Sequence, residues 1–139
     1  MKRLNIYFIH SKKFDYENLI YKKVLSSSVC LNQNIILPYS KNNQTTYTKD
    51  LMEKADLIVV DLYKPSLGLT LEVMMLSKLP DKKVLYLSQD NVLPKKYQKY
   101  VKEFTKHNGN YLELIENFIN EEITRLSKIH DGIYTLGEI

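Results

Sequence analysis

The chain has a single cysteine, Cys30, so no intrachain disulfide is open to it, and a lone thiol fits a reducing, cytoplasmic setting. Its three histidines are scattered, and no Cys or His pair stands at ligand spacing, which leaves no case for a transition-metal site. No apolar run reaches the roughly 18 residues of a membrane-spanning helix. The opening MKRLNIYFIHSKKF carries basic residues, but Asn5 and His10 interrupt its apolar run. It lacks the long hydrophobic region and small-residue cleavage site of a signal peptide and is expected to form a first strand. Repeats, low-complexity tracts and long linkers are missing as well, so residues 1–139 are expected to form one domain without an internal boundary.

What is present is an ordinary globular composition, 44% hydrophobic and 26% charged, which speaks against disorder. The net charge of +4 and pI near 9.0 come with lysines at 12–13, 22–23, 82–83, 95–96, 99 and 102, interleaved with Tyr97 and Tyr100. No recognisable nucleic-acid module accompanies them, so they read as a solvated basic surface rather than a nucleic-acid footprint. A phosphorylated small molecule suits the same charge.

The apolar pattern alternates between short strands and helices. LNIYFIHS reads as a strand, and FDYENLIYKKVLSSS follows with Leu19, Ile20, Val24 and Leu25 at helical spacing. NIILP reads as a short strand ended by Pro38, YSKNNQTT as a loop, and YTKDLMEK as a short helix. ADLIVVDL is nearly continuous in apolar residues, the pattern of a central parallel strand covered on both faces. After the turn KPSLG comes the helix LGLTLEVMMLSKL, and KKVLYLS repeats the buried-strand pattern. PKKYQKYVKEF is expected to hold a helix and a short edge strand. A last helix carries Leu112, Ile115, Ile119, Ile123 and Leu126 on one stripe. This alternation predicts an α/β doubly wound, flavodoxin- or Rossmann-like sheet of five mostly parallel strands with helices on both faces. In such a sheet, ligands sit at the carboxyl ends of the strands where strand order reverses. That rule points to HSKKF, DLYKPSLG and SQDNVLPKK.

Glu72 is the residue that asks for an explanation. It stands among Leu69, Leu71, Val73, Met74, Met75 and Leu76, where a charge is costly to bury without a partner. On a helical wheel it falls between Met75 on one side and Leu76 and Leu79 on the other, while Thr70 and Ser77 mark a separate polar stripe. The helix begins at the strand-end crevice, and Glu72 lies near enough to its start to reach that space.

ADLIVVDLYKPSLGLTLEV resembles the signature of the nucleoside 2-deoxyribosyltransferases, closest to their 5′-monophosphate N-glycosidase branch, in which an apolar strand leads into Pro-Ser-Leu-Gly and a catalytic glutamate. IYFIHSKKF is similar to that branch's first strand and loop, and TKDLMEKAD to the stretch before its central strand. The resemblance implies cleavage or transfer at the N-glycosidic bond of a 2′-deoxynucleoside or its 5′-monophosphate. Glu72 would be the nucleophile at the anomeric carbon, passing through a glycosyl ester by way of an oxocarbenium-like transition state. Tyr7 matches a tyrosine beside the sugar and the carboxylate. An acid to protonate the leaving base matches Asp50 in type, although Asp50 stands two residues closer to the Ala55–Asp56 pair than the family's acid does. Asp61, at the end of the third strand, is the other acid placed to reach the crevice, and Asp56 is expected to be structural. Phosphate recognition would fall to Ser66 and Gly68 at the helix N-terminus with Ser11 and Lys13 of the first loop. Lys13 replaces the family's arginine, giving charge without the bidentate fork.

The same resemblance implies no metal and no organic cofactor, a small-molecule nucleoside or nucleotide as ligand, and a homodimer or higher homo-oligomer. A residue of the neighbouring subunit's loop after the fourth strand would complete the site, where this chain offers Asn91, Lys95 and Lys96. The chain departs from the family at Thr70, in place of a second glycine, and at Val73–Met74, in place of Leu-Gly. Added side chains at close-approach positions reshape a pocket. A second reading is therefore a catalytically inactive nucleotide or sugar-phosphate binding module of the same fold. Plainer roles also stand beside the catalytic ones. Ser66 can be a helix N-cap, Gly68 a relief of crowding, Glu72 a structural ion, and Met74–Met75 core packing or a subunit contact.

Overall fold

The computed structural model describes the backbone of residues 2–39 and 48–138, and the side chains of these as far as residue 129. Five strands, β1 (Asn5–Ile9), β2 (Asn34–Ile36), β3 (Leu57–Asp61), β4 (Lys83–Ser88) and β5 (Thr105–Lys106), form one sheet in the order β2-β1-β3-β4-β5. Every pairing is parallel, with Tyr7 opposite Ile58, Ile9 opposite Val60 and Asp61 opposite Leu87. The expected doubly wound sheet is the observed one, and it is parallel throughout. The edge strand after the fourth crossover comes later than expected, at Thr105–Lys106, because PKKYQK is taken up by the short helix α5 (Lys95–Gln98). The expected loop at YSKNNQTT lies, beyond Tyr39, outside the described residues.

Alternation along the strands divides the interior in two. Ile6, Phe8, Leu57 and Val59 point to the face covered by α1 (Lys22–Leu25), α2 (Ser28–Leu31) and α6 (Tyr111–Glu138), where Ile115 and Ile119 are fully buried. Tyr7, Ile9, Ile58 and Val60 point to the opposite face, under α3 (Thr48–Lys54), α4 (Leu67–Leu76) and α5. All five residues of β3 are buried, as a strand covered on both sides requires. The stripe of α6 holds, with Leu112, Ile123 and Leu126 packed around its two core isoleucines.

The first crossover differs from a plain helix. A π-helical turn, Glu17–Tyr21, runs into α1, with the Lys22 N–H bonded back to the Glu17 carbonyl. This wider turn shifts the inward face to Ile20, Tyr21 and Val24, so Leu19 and Leu25, expected on the buried stripe, are 45% and 51% exposed. Asp56 is structural, as expected. Its carboxylate accepts the Asn5 N–H at 2.7 Å while its own N–H donates to the Asn5 carbonyl at 2.7 Å, fixing the β1–β3 register. Both groups of Asn5 stay near solvent, so Asp56→Ala is expected to cost about 1 kcal/mol. A lower urea midpoint with an unchanged slope would register it.

Candidate functional site

With β1 flanked by β2 on one side and β3 on the other, the strand order reverses between β1 and β3. The crevice at their carboxyl ends is where an open parallel sheet takes a ligand. Ser66 opens α4 beside it: its extended backbone and its side chain, accepting the Leu69 N–H at 3.1 Å, make it the N-cap. Leu69, Val73 and Leu76 bind α4 to the sheet, and this anchoring sets Glu72 toward the crevice beside β1.

Glu72 is half-buried and takes a hydrogen bond from the hydroxyl of Tyr7, itself 1% exposed. Burial pushes the Glu72 carboxyl up to about 7, and the Tyr7 hydrogen bond acts against that rise. Tyr7 is raised in turn, first by burial and then by the Glu72 charge, so it remains a protonated donor. Thr48, at the start of α3, also hydrogen-bonds Tyr7. Tyr39 is raised by burial and by Glu72 in the same manner, and its ring carries the Lys12 ammonium 4.3 Å from the centroid. The result is a poorly solvated carboxylate walled by tyrosines, able to shift between charged and neutral forms near neutral pH.

The other expected site residues are distributed unevenly around this pair. Asp50 is exposed on α3, and its helix-mate Thr48 is the side chain that meets Tyr7. Counting back the two residues by which Asp50 stands too close to Ala55–Asp56 also reaches Thr48. That residue bears a hydroxyl and no carboxylate. Asp61 reaches the strand ends, but alternation turns it to the α6 face with Leu57 and Val59, away from Glu72. There its carboxyl accepts the Tyr63 N–H at 3.0 Å and is pushed up to about 6 by burial, against the pull of that bond.

Ser11 is buried, and its hydroxyl oxygen accepts the Lys13 N–H at 2.9 Å, shaping the first loop, while the Lys13 side chain is exposed. A Cβ on Gly68 would meet nothing within 4 Å among the described residues, and none of them requires a glycine there. Thr70 turns its hydroxyl back to the Ser66 carbonyl at 2.9 Å and lies 3.5 Å from the Tyr97 hydroxyl. Asn91, Lys95 and Lys96 are exposed. Met75 packs on the core, whereas Leu67 and Leu71 of α4 are 76% and 49% exposed beside the crevice.

Sequence reasoning set His10 aside, yet it organises the first loop. The Ser11 carbonyl can only accept, so Nδ1 carries the proton and donates to it at 2.9 Å. Nε2 then accepts the Tyr21 hydroxyl at 2.8 Å, and that hydroxyl oxygen accepts the Tyr39 N–H at 3.2 Å. Burial lowers His10 to about 4, which keeps this neutral tautomer at physiological pH. The chain of bonds fixes the backbone of Tyr39, whose hydroxyl feels the Glu72 charge. The only sequence signal for it was the density of aromatic residues between Phe14 and Tyr39.

No family model matches the chain, and no curated protein matches it either. Among solved structures, it is similar to a pilus assembly-related protein from Burkholderia pseudomallei, with a TM-score of 0.52 and 13% identity over 84% of this chain and 89% of that one. A fusion carrying a trimeric coiled-coil segment of yeast Spc42 aligns with a TM-score of 0.44 and 12% identity over 99% and 96% of the two chains, and carries no argument. At such identities the first likeness speaks for the α/β fold alone.

Proposed function

We propose that this chain cleaves or transfers the 2-deoxyribosyl group of a deoxynucleoside or its 5′-monophosphate, with Glu72 as the nucleophile. The observation that carries the reading is the Tyr7–Glu72 hydrogen bond at the β1/β3 switch point, which sets a single inward carboxylate where a ligand of this fold would lie. In the reaction, a Glu72 oxygen bonds to the anomeric carbon as the carbon–nitrogen bond to the base breaks. The base leaves with that electron pair and gains a proton. Water or a second base then opens the sugar ester and regenerates the carboxylate. The poorly solvated surround strengthens attraction between the carboxylate and the positive sugar in the transition state. Tyr7 holds Glu72 in place and favours its charged form.

A 5′-phosphate would meet the free N–H groups at the start of α4, the Ser66 hydroxyl and the Lys13 ammonium, with Ser11 holding the loop that presents Lys13. The exposed Leu67 and Leu71 beside the crevice suit a homo-oligomer whose neighbour completes the site. The buried, reduced Cys30 suits a cytoplasmic protein, and no described helix is long and apolar enough to cross a membrane.

Incubating the protein with each deoxynucleoside 5′-monophosphate, with and without an acceptor base, and following free base by chromatography tests the proposal. No base release from any of them would remove it. The pH profile gives a second check. Glu72 must be ionised to attack, so kcat/KM is expected to rise with pH and level off above about 7. Tyr7→Phe removes the hydrogen bond that favours the charged form, so the same limb should move to higher pH. The loss should then be larger at pH 6 than at pH 8.5.

One observation favours the binding-module alternative. Thr48, without an ionisable group, is the side chain of α3 that hydrogen-bonds Tyr7, while Asp50 is exposed. Nucleotide binding seen by calorimetry with no product formed would decide for that reading.

A further inference from the structure

The outer edge of the sheet is only half closed. β5 pairs with β4 at Leu87 and Ser88 alone, so the stretch Lys83–Tyr86 has β3 on one side and no described strand on the other. Main-chain groups alternate between the two sides of a strand. The Leu87 carbonyl accepts the Leu62 N–H at 2.9 Å on the inner side, and the Ser88 carbonyl accepts the His107 N–H at 2.8 Å on the outer. Counting back from Ser88 in twos, Tyr86 and Val84 also turn their main chain outward. The Val84 N–H and carbonyl and the Tyr86 N–H meet no partner there among the described residues. Such an open edge is a template for another strand.

Beside this edge runs a groove of about 780 Å³, between the C-terminal end of α4 and the chain from Lys99 to Glu103. Val84 and Tyr86 line it with side chains that pack on the α4 core, and Leu79 and Tyr100 add apolar surface. The rim is basic. Lys99 and Lys102 are exposed, with the Lys99 ammonium 5.1 Å from the centroid of the Tyr100 ring. Lys82 is held at the groove by the Glu53 and Ala55 carbonyls, at 2.6 and 2.9 Å. None of these three ammonium groups pairs with a carboxylate among the described residues, and Glu103 is the one acid among those that line the groove.

We propose that this edge and groove are a docking site for an extended acidic segment of another protein, which adds a strand to β4 beside Val84 and Tyr86. Its main chain takes up the outward N–H and carbonyl groups, its alternate side chains enter the groove against Tyr86 and Tyr100, and its carboxylates meet Lys99 and Lys102. The open stretch Lys83–Tyr86 is about 13 Å long at roughly 3.3 Å per residue, enough for a short strand. Charge decides against a second copy of this chain as the occupant. Two such edges brought together would set lysine against lysine, which is how exposed edges resist self-pairing. An acidic strand turns the same charge into attraction. The groove lies past the end of α4 opposite Ser66, so the inference stands apart from the Glu72 chemistry.

The test uses the full chain and a synthetic peptide, acetyl-Glu-Glu-Val-Asp-Phe-Asp-Val-Glu-Glu-amide, whose apolar residues alternate as a strand beside the groove requires. Amide hydrogen exchange is followed residue by residue by NMR. In the free chain the Val84 and Tyr86 amides are expected to exchange at least about tenfold faster than those of Leu85 and Leu87, and the peptide should slow both. Lys99→Glu with Lys102→Glu should weaken the peptide by about tenfold, and both lysines are exposed, so this variant should keep its fold. Val84→Pro removes one outward N–H without touching the β3 ladder and should weaken binding by about as much. Slow exchange at Val84 and Tyr86 in the free, dilute chain would overturn the open edge. Protection that grows with protein concentration alone would assign the edge to a second copy and overturn the proposal. So would peptide binding that leaves both amides unprotected. A peptide with lysine in place of each acid, or a short oligothymidylate, protecting the same amides equally well would overturn the acidic strand as occupant.

Discussion

Glu72→Gln is expected to abolish base release and, in the same protein, to raise stability above neutral pH. The first effect follows from the covalent step. An amide cannot form the sugar ester, and losses of about 10⁴-fold or more are the scale on which removal of a nucleophile is felt. The second follows from burial. In the unfolded chain this carboxyl titrates near its ordinary value of 4.5, whereas in the folded protein it titrates near 7. The folded state therefore holds its proton more tightly, and the stabilisation that this supplies is complete below pH 4.5 and lost as pH rises through about 7. At pH 8 the folded protein carries a partly desolvated charge at a cost on the order of 3 kcal/mol. Glutamine fills nearly the same volume and removes that charge, so the variant's melting temperature should exceed the unmodified protein's by several degrees at pH 8 and converge with it near pH 4.5. Asp61, raised to about 6, gives a pH dependence of the same sign, but both proteins share it and it cancels in the difference. An inactive variant that is no more stable at pH 8 would mean that Glu72 is solvated and not strained in place. An active variant would end its assignment as nucleophile. The combination of lost activity and gained stability is what a site that holds a charge at a cost to the fold should show.

The sheet was legible because its signals are local. The apolar run Leu57–Val60 carries the mark of a strand covered on both faces, and the spacing of Ile115 and Ile119 that of one helix face. The π turn at Glu17–Tyr21 was not legible, since an i-to-i+5 bond leaves no spacing that differs clearly from a helix over five residues. At the site, Glu72 could be singled out because a charge among leucines and methionines is rare in any context. Asp61 was harder. Its even spacing from Leu57 and Val59 puts it on their side of the sheet, but which helices cover that side depends on the crossovers, and these are read only from the fold. Thr48 and the His10–Tyr21–Tyr39 chain were hidden because each is a contact between segments far apart in sequence. A threonine opening a short helix or a histidine in a polar loop has no local mark of such a partner.

Thr48→Asp is expected to raise base release from deoxynucleoside 5′-monophosphates by about 10²- to 10³-fold, the range over which a positioned general acid acts. The leaving base needs a proton, and the side chain of α3 that meets Tyr7 is a hydroxyl that does not titrate. Asp50, the carboxylate that sequence type alone selects for this role, is exposed and does not meet the pair. An aspartate at 48 would share the tyrosine with a carboxyl already raised to about 7, and two acids so close resist ionising together. The pair should then hold one proton between them at neutral pH, titrating as a unit with two apparent steps and giving a bell-shaped rate profile in place of a single rising limb. The gain requires the nucleophile, so it should vanish in the double variant with Glu72→Gln. It should also be small for substrates with good leaving groups, such as nitrophenyl deoxyribosides, which depart without a proton. If Thr48→Asp binds nucleotide and releases no base, the missing acid is not what limits this chain. The pocket altered by Thr70 and Met74 would then be a binding site that does no chemistry.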